Sequence, residues 1–116
     1  MKITNLNDVP KTGVEMDGAK GAWRQLPIGS ADGTPAYSMR VFTLEPGGHT
    51  PFHAHPWEHI NFAMAGEGAI VDEDGTERPF NALDFAIVPG GEKHQYRNMS
   101  DKKPFMMICA VPKEYE

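Results

Sequence analysis

The sequence predicts a small all-β protein with a single domain, and three observations lead to this prediction. The chain has 116 residues, which is enough for one hydrophobic core and too few for two. Its 12 glycines and 10 prolines are spread along the whole length and leave mostly short segments between them. No window longer than about ten residues follows the apolar period of a helix. Short segments bounded by turn residues are typical of a β-sandwich or barrel.

The predicted strands are the apolar or alternating segments between these turn residues. In chain order they cover residues 23–28, 36–44, 59–65, 69–72, 84–88, 94–98 and 104–111. The second strand is expected to end at a turn over residues 45–48, and the third at Gly66. After the fourth, the Asp74-Gly75 pair is a strong hairpin signal. Neither a linker nor an internal repeat divides the chain, so we predict one domain over residues 1–116.

Charge and cysteine content exclude several classes of function. The formal net charge is −5 and the 11 basic residues are scattered, so the chain lacks the clustered positive face that binds nucleic acid. No segment approaches the length of a membrane span, and residues 1–8 lack the apolar core of a signal peptide. Cys109 is the only cysteine and cannot form an intrachain disulfide. We therefore expect a cytoplasmic protein without nucleic-acid or membrane partners.

Four of the five histidines lie in two short runs of the sequence and are predicted to bind one metal ion. They are His53, His55 and His59 in residues 47–66, and His94 in residues 83–98. Residues two apart share a face of an extended chain, so the first three have the same parity, although Pro56 favours a loop between them. Neutral imidazoles from two segments suit a first-row transition metal. Ordinary hydrogen bonding is the alternative for any one histidine, but the joint pattern favours the metal.

The two histidine runs resemble the two sequence motifs of the cupin superfamily. Gly47, His53, His55 and Gly66 match the first motif, and Pro89, Gly91, His94 and Asn98 match the second, Pro-x-Gly-x-x-His-x-x-x-Asn. The matched region, residues 47–98, is about half of the chain, and the double match is highly specific for the fold. The resemblance implies a double-stranded β-helix (jelly-roll) barrel with the metal in its mouth.

Two positions depart from the cupin pattern. His59 stands where the family usually has a glutamate ligand, and Leu83 stands where a glycine often begins the second motif. With four histidines, the sequence is similar to small bacterial cupins that bind manganese or another divalent metal through four imidazoles. Four neutral ligands would leave the ion its full formal charge and make it a stronger Lewis acid. We expect one divalent transition metal, manganese or iron first, with nickel, copper and zinc as alternatives.

Further side chains are predicted to line the pocket around the metal. They are Asn61, Tyr96, Cys109, Met107, Val111, Phe52, Trp57 and Arg40. Cys109, Met107 and Val111 share one face of the last strand, which the resemblance places inward. Asn61 and Tyr96 have the same parity as nearby histidines, so they are candidates for hydrogen bonds to ligand or metal-binding side chains. Packing, or a solvated charge for Arg40, is the alternative role, and no catalytic residue is assigned.

We consider three classes of function and expect an enzyme, with the first class slightly favoured over the others. The first is a metal-dependent oxygenase or dioxygenase-like enzyme that acts on a small organic substrate. The second is a redox-neutral isomerase, lyase or cyclase that acts on a sugar acid or a similar compound, and the third is a non-catalytic protein that binds a small ligand. A homodimer is expected from the resemblance, because small cupins usually pair their barrels through apolar sheet faces. Fold alone does not choose among these functions.

Overall fold

Nine antiparallel β-strands form one nearly closed sheet in the computed structural model, which describes all 116 residues. The strands are β1 (Thr12–Gly13), β2 (Lys20–Ile28), β3 (Tyr37–His49), β4 (His59–Ala65), β5 (Glu67–Val71), β6 (Glu77–Asn81), β7 (Phe85–Val88), β8 (Gln95–Asn98) and β9 (Phe105–Pro112). The helical segments are 3₁₀ turns at Leu6–Asp8, Ser30–Asp32 and Lys113–Tyr115. The predicted all-β, single-domain jelly roll is confirmed. No helix has the length and hydropathy needed to cross a bilayer.

The long strand β3 connects the parts of the barrel. The order of strands is β6-β5-β8-β3-β9-β4-β7, and β2 with β1 attaches along β3 as a branch. Residues 37–44 of β3 pair with β9, whereas His49 at its far end pairs with Arg97 of β8. Because one strand pairs with three neighbours, the sheet curves around a common interior.

Two differences between the predicted and the observed strands have a clear physical reason. Residues 45–48 were expected to end the strand as a turn, but β3 continues to His49. The extra residues form a bulge between the pairs Lys20–His49 and Ala22–Leu44, and Gly47 takes a positive φ of 73° within it. The strand β6 was not predicted, because Pro79 lies inside it. A proline is tolerated there since β6 is at the edge of the sheet and pairs only with β5.

The apolar core fills the barrel below the histidines. Leu44, Ala63, Phe80, Phe105 and Met107 are almost completely buried and belong to one hydrophobic cluster. The strand β9 shows why: its residues alternate between buried and half-buried, so one face of the strand points into the core. Met107 also lies on the wall of the cavity that contains the histidines. The core therefore forms the base on which the candidate site rests.

Candidate metal centre

Backbone pairing between two distant segments brings the histidines together. His53 lies in the loop between β3 and β4, and His94 immediately precedes β8. The backbone N–H of each donates to the carbonyl of the other, over 3.1 Å from His53 and 2.9 Å from His94. This isolated antiparallel bridge fixes the two Cα atoms as direct neighbours. The two sequence motifs thus meet through main-chain hydrogen bonds.

The glycine turn after β7 holds the loop that contains His55. Gly91 N–H donates to the His55 carbonyl over 2.8 Å, and Gly91 takes a positive φ of 87°. A Cβ atom on Gly90 would lie 2.2 Å from the carbonyl oxygen of Pro56, so no side chain fits at that position. The glycines of the second motif are therefore needed for close contact with the first motif.

Three histidines form a compact cluster of possible ligands. One ring nitrogen from each of His53, His55 and His94 lies within 4.8 Å of the other two. The ring of His59 is next to this cluster, with its Nε2 atom 2.7 Å from Nε2 of His55. The structure therefore brings together a three-histidine cluster with His59 beside it, and the predicted four-histidine site remains a prediction. His49, the fifth histidine, faces the Thr50 carbonyl and Gln95 instead.

The hydrogen bonds of the rings show that this cluster fits a metal ion. Nδ1 of His55 faces the Trp57 carbonyl and Nδ1 of His94 faces the Glu92 carbonyl, each at 2.8 Å. A carbonyl only accepts, so both Nδ1 atoms donate a hydrogen bond, and both neutral rings carry a lone pair instead of a proton on Nε2. Nε2 of His94 is buried without any hydrogen-bond partner. A divalent cation would satisfy this buried acceptor, since buried polar atoms without a partner are rare.

Burial keeps the imidazoles neutral, which is the form that binds metals. Removal from water lowers the pKa of His53, His55 and His94 below the ordinary value of 6.5. The pKa of His59 falls furthest, to about 2, mainly through burial and then through the positive charge of Arg40. All four rings therefore offer a lone pair at neutral pH without first losing a proton.

Cys109 connects His59 to Arg40 behind the cluster. Its Sγ atom is 2.7 Å from Nδ1 of His59 and accepts a hydrogen bond from Nη2 of Arg40 over 3.2 Å. Cys109 lies directly between Arg40 and Asn61 in the register of β3, β9 and β4. Burial raises the pKa of the Cys109 thiol, although Arg40 acts in the opposite direction. Cys109 thus contacts Nδ1 of His59, whereas Nε2 of the same ring faces His55, and Cys109 does not line the cavity.

A cavity of about 350 Å³ lies in front of the cluster. The candidates Arg40, Trp57, Tyr96 and Met107 are on its wall together with the four histidines. The other predicted pocket residues lie elsewhere. Asn61 is buried beside the cavity and accepts a 2.6 Å hydrogen bond from the Tyr96 hydroxyl. Val111 is fully buried. Phe52 is partly exposed, and Nζ of Lys93 lies 4.6 Å from its ring centroid.

An aromatic stack forms one side of the entrance. The Trp57 ring lies between His55, at a centroid distance of 4.1 Å, and Tyr115, at 4.0 Å, and is parallel to both within 7°. This packing restricts the rotation of the His55 ring, which adds to the effect of its Nδ1 hydrogen bond.

Sequence reasoning missed several residues of the cavity wall. Val14 and Met16 come from the irregular segment around β1, and Phe42 and Thr50 come from β3 and the loop after it. Parity with the inward-facing Arg40 would have identified Phe42. No local signal marks Val14 and Met16, because β1 is only two residues long and its position depends on pairing with β2.

The fold and site together define a single-domain barrel with a histidine cluster at its mouth. The cupin domain model matches residues 40–111, which include all four predicted ligands. The chain belongs to the cupin family.

One curated relative and two solved structures illustrate this relationship. Dimethylsulfoniopropionate lyase DddQ of Ruegeria pomeroyi is 33% identical over 79 residues, which are 68% of this chain and 37% of that protein. The polyketide cyclase RemF of Streptomyces resistomycificus has a TM-score of 0.89 at 26% identity, with 97% of this chain and 79% of RemF covered. A sugar phosphate isomerase of the cupin superfamily from Silicibacter pomeroyi has a TM-score of 0.80 at 21% identity, with 96% and 75% covered, and shows the fold alone.

Proposed function

We propose that this protein is a metal-dependent enzyme that converts a small organic substrate in the barrel cavity. The observation that supports this most directly is the buried, unpartnered Nε2 atom of His94 within the three-histidine cluster. His59 is proposed as the fourth ligand, because its Nε2 atom is already 2.7 Å from that of His55. Manganese or iron remains the proposed metal, and nickel, copper and zinc suit the same nitrogen ligands.

The cavity combines a polar base with an apolar wall. When bound, a divalent ion would supply a Lewis acid for a substrate oxygen. Val14, Phe42 and Met107 make part of the wall apolar, and this limits the access of water to the substrate. Burial holds the pKa of Tyr96 well above its ordinary value, so the phenol stays protonated and its hydroxyl donates a hydrogen bond to Oδ1 of Asn61.

We assign the reaction to the redox-neutral class of lyases, isomerases and cyclases. The support comes from the two relatives above 25% identity, which are named as a lyase and a cyclase. The match covers only 37% of the lyase. We therefore use that protein to propose the class of reaction and do not transfer its substrate to this chain. The oxygenase reaction, which was the first expectation from the sequence, is the alternative and also needs a metal with open coordination positions.

Oxygen dependence separates the two reaction classes. Protein loaded with zinc, manganese or iron is assayed with dimethylsulfoniopropionate, unsaturated uronates and catechols, with and without dioxygen. The proposal predicts turnover of at least one non-catechol substrate at equal rates in both atmospheres, including with redox-inert zinc. Turnover only in the presence of dioxygen supports the oxygenase instead. Absence of turnover by every metal form would favour a protein that only binds small ligands.

We also propose that two copies of the chain pair through the outer face of β4 and β7. This outer apolar face consists of Ile60, Phe62, Phe85 and Ile87 with the neighbouring Ile108. Phe85 is 79% exposed and Ile87 is 66% exposed, which is unusual for two large apolar residues on the same face of one strand. A second copy is the simplest partner, because a flat apolar patch covers itself in a two-fold dimer. A cytoplasmic location is likewise proposed, because the single cysteine, Cys109, is a free thiol, as is usual for proteins of a reducing compartment.

A further inference from the structure

Arg40 is a buried cation in the cavity wall without an anionic partner. Its side chain is inside the barrel, only 9% of the residue is exposed, and its Nε atom has no hydrogen-bond partner. Nη2 donates to Cys109 Sγ, and the Phe42 ring centroid is 5.0 Å from Cζ. The structure contains one ion pair within 4.0 Å, between Lys2 and Asp32, so Arg40 is not in a salt bridge. A buried arginine is normally paired, since burial of an isolated charge is strongly unfavourable.

The interior of the barrel offers no carboxylate that could balance this charge. No aspartate or glutamate lines the cavity, and its titratable groups are Arg40, the histidines and Tyr96. The position at which cupins usually have a glutamate is occupied by His59, which shares Cys109 with Arg40. A neutral imidazole therefore stands where a carboxylate would have been the nearest counter-ion. A divalent metal at the histidines would add further positive charge.

Groups just outside the cavity do not supply the missing negative charge either. Arg24 lies close enough that Arg40 lowers its pKa, after the larger effect of burial. Glu116 acts on Arg24, and its carboxylate accepts hydrogen bonds from Ser30 and Ser38 and none from Arg40. Cys109 is the hydrogen-bond partner of the Arg40 side chain, and as a thiol it accepts a hydrogen bond without neutralising the guanidinium.

We propose that Arg40 binds a carboxylate group of the molecule that occupies the cavity, so that the substrate is a small organic acid. The guanidinium has a free Nε–H and a planar fork of donors that matches the two oxygens of a carboxylate. The same molecule would place a second oxygen toward the histidine cluster. This inference rests on the proposed metal-dependent function of the same cavity, and it specifies the chemical class of the substrate. It also selects against neutral sugars and alcohols, which would leave the buried charge unbalanced.

Matched charged and neutral probes test this proposal by titration calorimetry. Malonate and succinate are titrated into zinc-loaded protein beside the diamides malonamide and succinamide, which have similar size but no charge. We expect Arg40→Met to weaken the binding of at least one dicarboxylate by tenfold or more and to leave the diamides unchanged. Arg40→Lys should retain part of the affinity, because it keeps the charge and loses the fork. Arg78→Met removes an exposed arginine from the outside of the barrel and should have no effect.

Thermal stability gives a second readout. A bound ligand stabilises the folded protein, so malonate or succinate should raise the melting temperature of wild type and should have little effect on that of Arg40→Met. An equal rise in both proteins overturns the proposal. Equal dicarboxylate affinity of wild type and Arg40→Met also overturns it. Zinc content is measured in the same samples, so failure to bind metal, which contradicts the proposed function, is distinguished from failure of the Arg40 assignment.

Discussion

The inward and outward faces of β4 have opposite chemistry, and neither is usual for its environment. His59 and Asn61 point into the barrel and are 7% and 1% exposed, although both are polar. Between and after them, Ile60 and Met64 point outward and are 43% and 36% exposed, although both are apolar. An antiparallel strand with one solvated face normally has apolar residues inside and polar residues outside.

The same inversion extends to the neighbouring strands. Arg40 of β3 and Cys109 of β9 are buried beside the polar residues of β4, whereas Met39 and Phe85 are exposed on the outside. Polar groups inside a barrel are tolerated when they bind one another or a ligand, and apolar groups outside when they are covered by a partner. The difference between the faces supports the proposed ligand site on one side of the sheet and the proposed dimer interface on the other.

The largest expected effect concerns the outer face. Phe85→Lys combined with Ile87→Lys places charges in the proposed interface, and in a two-fold dimer each substitution occurs twice. We expect the dissociation constant to rise by roughly 100-fold or more, since a central apolar anchor contributes at least about 2 kcal/mol. Sedimentation equilibrium measures the change, and Glu77→Lys on the edge strand β6 is the control. If the wild type is a monomer at all concentrations, the proposed dimer is wrong. The metal site proposed for the inner face does not depend on this result.

An intermediate effect concerns the protonation of the inner face. Because burial lowers the pKa of His59 from 6.5 to about 2, the unfolded chain binds a proton below pH 6.5 that the folded protein does not. The free energy of unfolding of the metal-free protein should therefore have its full value above pH 6.5 and should decrease as the pH falls below 6.5. The slope from this one group is about 1.4 kcal/mol per pH unit.

Urea unfolding between pH 7 and pH 5 measures this slope. His59→Gln removes the titrating group while keeping a polar side chain, so its slope should be smaller than that of wild type. Equal slopes in the two proteins would show that His59 is not buried as a neutral ring in the metal-free state.

The smallest effect concerns the turn before β7. Leu83 has a positive φ of 78° and is 74% exposed, and it is the only residue other than glycine with a left-handed backbone. A side chain in this conformation costs about 1–2 kcal/mol, so Leu83→Gly should increase the free energy of unfolding by about 1 kcal/mol. Ala82→Gly, one residue earlier, should decrease it. Urea unfolding of both variants tests this expectation, and a loss of stability in Leu83→Gly would contradict it.

Residues in regular strands could be placed from the sequence alone. The alternation of β4, from His59 to Met64, predicts both faces correctly, because side chains on a strand alternate strictly. The two cupin motifs predicted that His53, His55 and His94 come together, and one ring nitrogen of each lies within 4.8 Å of the other two. Leu83 was noted as a departure from the family pattern, which often has glycine at this position. The left-handed backbone at Leu83 explains why glycine is common there.

Features that depend on long-range contacts could not be predicted in this way. The contact of Cys109 with both His59 and Arg40 depends on the register of three strands. Nothing local to Arg40 indicates that it lacks a carboxylate partner, because this depends on every residue around the cavity. The bulge at 45–48 resembles an ordinary turn in sequence, and only pairing with β2 and β8 extends the strand through it.

Metal content tests the central claim, that the polar inner face is a metal site, most directly. Protein purified without added metal is analysed for manganese, iron, nickel, copper and zinc, together with His59→Ala, His94→Ala and the control His49→Ala. We predict about one ion per chain in wild type and in His49→Ala, a strong loss in His94→Ala, and weaker binding in His59→Ala. Equal affinity in His59→Ala would contradict the four-histidine ligand set. Failure of the wild type to bind any of these metals, even when they are supplied in excess, would contradict the central claim.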